Sequence, residues 1–219
     1  MNVYYWKIAG IRQMDLQPWT GIISEERLRR AKRFHQEKDR IRCLCAEILL
    51  RYGLAQAGVQ KQDIRFRYQQ SGKPFLEGNH LPYFSISHSG DYVMCAIASE
   101  EIGVDVEQCT DIHSGLAKSV MTSAEYAHYL NLRPNMQNQY FFTVWTCKES
   151  VVKCIGTGLQ TPFPSIEIVT AGKKTQAVKD GKEIYHLWRI PLGGAYCSAV
   201  CMKHEKSVPK VIFVDTEQL

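Results

Sequence analysis

The hexapeptide IGVDVE, Ile102 to Glu107, alternates aliphatic residues with Gly103, Asp105 and Glu107. Alternate residues of a strand share a face. One face is therefore fit for a core, and the other presents two carboxylates that start about 6.6 Å apart. Like charges so placed repel unless a cation lies between them. Taken alone, the pattern also fits an edge strand whose acids face water. The segment QYFFTVWTCKESVVKCIGTGL, residues 139–159, shifts the balance. On a helical wheel with Trp145 at zero, Phe141 falls at about −40°, Phe142 at about +60° and Val152 at about −20°. Glu149 falls at about +40°, inside the aromatic stripe, and Lys153 at about +80°, at its edge. A carboxylate on a core-facing stripe is costly unless it is paired or binds a metal. A Glu149–Lys153 pair at i, i+4 explains the charges but not their place beside Phe142 and Trp145. Three carboxylates, Asp105, Glu107 and Glu149, together with waters would make a hard-cation site. Magnesium is favoured there, with phosphate oxygens as its remaining ligands.

Other residues could serve the phosphate side. Lys73 sits on the S-G-K-P turn, where Pro74 forces it extended. Ser87 and His88 end a strand just before Gly90, so their side chains and the turn amides could meet an anion. Five bases, Arg27, Arg29, Arg30, Lys32 and Arg33, crowd one short segment and suit phosphates or an acidic partner. Each feature has a plainer reading: a surface lysine, a hairpin-tip histidine, a solvated helix face.

The elements that must hold these residues follow from patterning. The chain has 219 residues, 45% of them hydrophobic and 22% charged, with a net charge of +5. This suits one large or two small soluble domains. The N-terminus lacks the apolar run of a secretory signal, and nowhere is there the long apolar run of a membrane span. Eight cysteines without a C-x-x-C pair, several in apolar stretches, read as buried thiols of a reducing, cytoplasmic compartment, with no structural zinc. VYYWKIA predicts a first strand. Ser24 predicts an N-cap for a basic helix to about His35, and Asp39 a cap for an apolar helix ending near Gly53 or Gly58. Asp63 to Tyr68 predicts a short strand. FSISH and YVMCAIA predict a hairpin, and IGVDVE the next strand. A helix around Ala124 to Leu130 and a longer one from about Gln139 to Ile155 lead to strands at SIEIVT, EIYHLWRI, AYCSAVCM and VIFV. YVMCAIA echoes YCSAVCM, a hint of two related halves.

In combination, GKPF (72–75), FSISHSG (84–90), IGVDVE (102–107) and FFTVWTCKESVVKCIGTGL (141–159) resemble the 4′-phosphopantetheinyl transferases, specifically the monomeric surfactin type. The resemblance covers roughly residues 20 to 165. It implies an α/β (α+β) fold of two similar subdomains related by a pseudo-twofold, 1–103 and 104–219, with the site between them. It implies coenzyme A as donor and a serine of an apo peptidyl or acyl carrier protein as acceptor. By motif, Asp105, Glu107 and Glu149 would bind magnesium, with manganese as a substitute. Lys153 would approach the reacting phosphate or help with proton transfer. His88, with Ser87, and Lys73 would contact coenzyme A phosphates, and Arg27 and Arg30 its 3′-phosphate.

The reaction so implied needs no enzyme nucleophile, in keeping with the lack of a Ser–His–Asp or Cys–His signature. Lys153 and His88 would bring positive charge to the phosphate. Glu149 is the candidate base for the acceptor serine, with a lysine as the alternative. Glu125, in S-A-E-Y, is either a further acid near the metal or an ordinary helix-start glutamate. Analogy puts the carrier-docking surface near Met121 to Tyr129. A monomer is expected, with neither nucleic acid nor membrane as partner. A non-catalytic carrier- or nucleotide-binding module is the first rival reading. It has no need of Asp105, Glu107, Glu149 and Lys153 together. A metal-dependent nuclease is the second. It would want its aromatics exposed for stacking on bases, whereas here they lie in core-like stripes.

Overall fold

Ser24 accepts a hydrogen bond from the Arg27 amide and so caps α1 (Glu25–Ala31), as its position predicts. The computed structural model describes residues 1–113, 115–172, 174–204 and 207–219. Before α1 runs β1 (Asn2–Lys7), and after it α2 (Glu37–Gln56). Asp39 does not cap α2; it lies in the first turn and pairs with Arg42. Two strands follow, β2 (Phe66–Tyr68) and β3 (Pro74–Leu76), joined across the S-G-K turn. The FSISH and YVMCAIA segments form β4 (Tyr83–Ser89) and β5 (Tyr92–Ala98), and IGVDVE forms β6 (Ile102–Gln108).

The second half opens with α3 (Leu116–Val120) and α4 (Ser123–Asn131). The long helix α5 (Pro134–Ile155) starts earlier than its aromatic stripe suggests, because Pro134 is well suited to a first helical turn. It ends on Gly156 in the left-handed conformation, φ 81°. Then come β7 (Ile166–Ala171), β8 (Lys174–Lys179), β9 (Glu183–Arg189), β10 (Tyr196–Met202) and β11 (Lys210–Phe213). No strand is expected at β8, whose sequence KTQAVK is mostly polar; it forms because Thr175 and Ala177 turn inward.

One sheet has the order β11-β1-β5-β4 and the other β6-β10-β9-β8-β7. Within them, β1–α2–β4–β5 and β6–α5–β9–β10 repeat one pattern. Each has a strand, then a helix, then a hairpin whose last strand lies at the centre, antiparallel to the first. The two central strands, β5 and β10, are the echoing segments YVMCAIA and YCSAVCM. The fold is therefore mixed α/β, built of two similar subdomains. β11 returns to the first sheet, parallel to β1, and residue 103 lies inside β6.

Each helix has its own core. α2 packs Leu49, Leu50 and Leu54 on Val93, Cys95 and Ile97 of β5. α5 packs Cys147 and Val151 near Ala199 and Cys201 of β10. The opposite faces of the two sheets share a third cluster, in which Val3, Met94 and Ala96 meet Val104, Val106 and Val200. All eight cysteines are free thiols and all but Cys109 are buried. Among the described residues, no helix is long and apolar enough to cross a membrane.

Candidate active site

The site begins with a close approach. Gly103, Asp105 and Glu107 share the face of β6 that α5 covers, so the acids do not lie on a wet edge. A Cβ on Gly103 would stand 1.8 Å from the Ser150 carbonyl oxygen and 2.5 Å from the Cys154 amide nitrogen. Only glycine lets the helix this near. With α5 so placed, Glu149 and Lys153 come over the strand beside Asp105 and Glu107, and all four line one cavity of about 450 Å³.

Ser87 and His88 from β4 line the same cavity, as do Arg27 and Arg30 of α1, and Lys73. Every residue singled out by motif thus borders one space at the junction of the two sheets. A larger groove of about 1200 Å³ lies on the far side of Lys73 and carries none of the three acids on β6 and α5.

Charge is unevenly matched here. The Lys153 ammonium donates to Asp105 Oδ1 at 2.6 Å and to Ser87 Oγ at 3.0 Å. Asp105 is 2% exposed, and its other oxygen, Oδ2, is buried with no hydrogen-bond partner. Glu107 is pushed up to about 7, first by burial and then by the neighbouring Asp105 charge. Glu149 is raised for the same two reasons. Among the described residues, no three His, Cys, Asp or Glu side chains stand close enough together to hold a metal ion as they are. The donor set nonetheless suits a hard divalent cation: three carboxylates, one with an orphaned buried oxygen, two more reluctant to ionise side by side.

The bases differ in how free they are. His88 is half-buried and its pKa is pushed down to about 4, by burial and then by Lys153. It therefore brings a neutral imidazole to the site; the positive charge expected of it is disfavoured by its burial beside Lys153. Arg27, only 6% exposed, pairs with Glu47 at 3.5 Å. Glu47 also binds Arg51 and both the amide and hydroxyl of Ser24. Arg30 is exposed at the cavity rim. The Lys73 amine bonds Glu101 and donates to the Cys154 carbonyl at 3.1 Å, so it also ties down the end of α5.

The segment 12–101 matches a family model described as "4'-phosphopantetheinyl transferase, N-terminal". The segment 101–201 matches "4'-phosphopantetheinyl transferase superfamily". The chain is 31% identical to 4'-phosphopantetheinyl transferase Sfp of Bacillus subtilis (strain 168), over 97% of this chain and 99% of that protein. The chain belongs to the 4′-phosphopantetheinyl transferase family. Two further relatives are the transferase ffp of Bacillus subtilis, 36% identical over 74% of this chain and 75% of its own, and gsp of Aneurinibacillus migulanus, 33% identical over 74% and 68%.

In this transferase Glu125 stays away from the cavity. It completes the capping box of α4 with Thr122, accepts from the Ile168 amide at 2.8 Å and pairs with Lys148 at 2.6 Å. Lys148 is fully buried; its ammonium also donates to the carbonyls of Val120 and Phe163. So the two neighbours in K-E-S divide their work: Lys148 locks α5 to α4, and Glu149 faces the cavity. Sequence reasoning missed the supports Glu47 and Glu101 and two serines of β4. Glu47 left a trace, a lone carboxylate in the apolar run CAEILL. The serines left another, the alternation of Ser85, Ser87 and Ser89.

Proposed function

We propose that this transferase moves the 4′-phosphopantetheine arm of coenzyme A onto a serine of an apo peptidyl or acyl carrier protein. The products are holo-carrier and adenosine 3′,5′-bisphosphate. The observation that carries this reading is the meeting of Asp105, Glu107, Glu149, Lys153 and His88 in one cavity rimmed by Arg27, Arg30 and Lys73.

Asp105, Glu107 and Glu149 would hold magnesium, or manganese in its place; bound there, the ion neutralises charge on the pyrophosphate. Arg30 and Arg27 bind the 3′-phosphate, with Glu47 fixing the Arg27 guanidinium. Lys73 and Ser87 contact the phosphates. Lys153 supplies its ammonium to the reacting phosphate, and neutral His88 supplies a hydrogen bond. The acceptor hydroxyl attacks the phosphorus that bears the pantetheine arm, and Glu149 takes its proton. Lys153 is less suited to that step, because an ammonium paired with Asp105 has no lone pair to take a proton. Catalysis is then positioning and charge neutralisation. On the carrier side Met121 is buried, and among the described residues of α3 to α5 the exposed large hydrophobics are Leu116, Leu130 and Met136. The carrier would be one of non-ribosomal peptide synthesis or, alternatively, of fatty-acid synthesis. We place the protein in the cytoplasm as a monomer, since both halves of the pseudo-dimer lie in one chain, with no nucleic-acid or membrane partner.

The test is incubation with coenzyme A, magnesium and an apo carrier, followed by mass spectrometry of the carrier. A gain of one phosphopantetheine arm is expected, and at least 100-fold slower transfer by Asp105→Ala, Glu107→Ala, Glu149→Ala and Lys153→Ala. Full transfer by Asp105→Ala would remove the ion from this site.

A further inference from the structure

β4 and β6 are edge strands of different sheets that run side by side without backbone pairing. Three hydroxyls take the place of the missing carbonyls. Ser85 Oγ accepts from the Val104 amide at 3.1 Å, Ser87 Oγ from Val106 at 3.3 Å, and Ser89 Oγ from Gln108 at 3.1 Å. Serines at alternate positions of β4 face one way, so the row matches the amides of β6 rung by rung. A hydroxyl differs from a carbonyl in one respect: having accepted, it still has a proton to give. Ser87 gives its proton to Asp105 Oδ1 at 2.8 Å, and Ser89 gives its own to Glu107 Oε2 at 2.7 Å. Ser85 has no acid opposite it.

We infer that Ser89 is a positioning residue, which orients the Glu107 carboxylate toward the cation site while its oxygen holds the edge of β6. The inference rests on the proposed function, because it takes Glu107 as a metal ligand. A hydroxyl fixed at its oxygen by a backbone amide can point its proton only within a narrow range. It therefore holds one carboxylate oxygen of Glu107 and leaves the other to the cavity. Partners that orient metal ligands in this way commonly change metal affinity 10–100-fold when removed.

Ser85 supplies the control. Ser85→Ala and Ser89→Ala each remove one hydroxyl that accepts from a β6 amide, but only the second also frees an acid. Mn²⁺ is titrated into the metal-free protein and its binding followed by electron paramagnetic resonance, with and without coenzyme A. The wild type is expected to bind one Mn²⁺ per chain. Ser89→Ala should raise the Mn²⁺ Kd about 10–100-fold. Ser85→Ala should leave it within about twofold, and Ser89→Thr, which keeps the hydroxyl, within about threefold. A Ser89→Ala protein with wild-type Mn²⁺ affinity would overturn the role of Ser89 while leaving the cation site standing. Equal weakening in Ser85→Ala, or loss in Ser89→Thr as large as in Ser89→Ala, would reduce the hydroxyl to a structural support. A wild type that binds no Mn²⁺ in either condition would overturn the cation site itself and the inference with it.

Discussion

Gly103 and Ser150 stand in such contact that a Cβ on the glycine would lie 1.8 Å from the serine carbonyl oxygen. Neither partner can yield, because the obstacle is helix backbone rather than a mobile side chain. Gly103→Ala must therefore push α5 away from β6. Overpacking commonly costs about 1–3 kcal/mol, and a backbone clash belongs at the upper end, about 3 kcal/mol. For a chain of this size that lowers Tm by roughly 6–12 °C. Thermal unfolding followed by circular dichroism measures it; a shift under about 2 °C would show that the approach is looser than stated.

This contact also shows what the sequence made legible. Alternation in IGVDVE separated an aliphatic face from an acidic one, and the wheel placed Glu149 on the buried side of its helix. Both inferences depend on period alone, so they survive without knowledge of the fold. The echo of YVMCAIA in YCSAVCM marked the two central strands because equivalent strands meet equivalent packing. The return of β11 to β1, whose paired residues are 208 apart, leaves no local mark. Polar β8 gives a weak strand signal, since only Thr175 and Ala177 are drawn inward. Nor could sequence tell that Arg27 would be buried on Glu47 while Arg30, three residues on, would stay free. That depends on which side of α1 meets α2.

The difference between those arginines is testable. Arg30 is exposed and Arg27 is nearly buried against Glu47, itself 1% exposed. If both grip the coenzyme, each alanine variant loses a hydrogen bond to a charged group, worth about 1.5–3 kcal/mol. The KM for coenzyme A should then rise about 10–100-fold in both. Only Arg27→Ala should also lower stability, by about 1–3 kcal/mol, because it leaves a buried carboxylate under-paired. Steady-state kinetics and urea unfolding on the two variants read this out. An unchanged KM in either removes that arginine from the coenzyme site.

Lys148 presents the opposite case, a charge whose work is wholly internal. Burial lowers its pKa and the Glu125 bond opposes that. Both ion-pair partners are buried, and the ammonium makes three hydrogen bonds. Lys148→Met keeps the volume but strands Glu125 as an unpaired buried acid, which costs about 3–5 kcal/mol. Urea unfolding at pH 7 should show this loss. A cost below about 1 kcal/mol would mean that Glu125 escapes to solvent when Lys148 is gone.

The cavity should reveal itself in how stability depends on pH, because His88 and Glu107 titrate in opposition. His88 falls from 6.5 to about 4 on folding. Its folded pKa is depressed, so the unfolded chain binds more protons between those values, and the His88 contribution is lost as pH falls through the window. Glu107 rises from 4.5 to about 7. Here the folded chain binds more protons, so its contribution grows as pH falls through that window and is lost as pH rises toward 7. Glu149 shifts in the same direction as Glu107. Each of the two numbered shifts amounts to about 3 kcal/mol at most, and between pH 5 and 6.5 they oppose each other in the wild type. Removing one should expose the other. With a chelator present, His88→Asn should gain stability as pH falls from 6.5 to 5, and the double variant Glu107→Gln, Glu149→Gln should lose it over the same interval. Urea unfolding at half-unit steps of pH measures both slopes. Curves of the same slope in the two variants would contradict the opposed titrations, and with them the picture of a cavity where buried acids crowd one another while a neutral histidine stands beside Lys153.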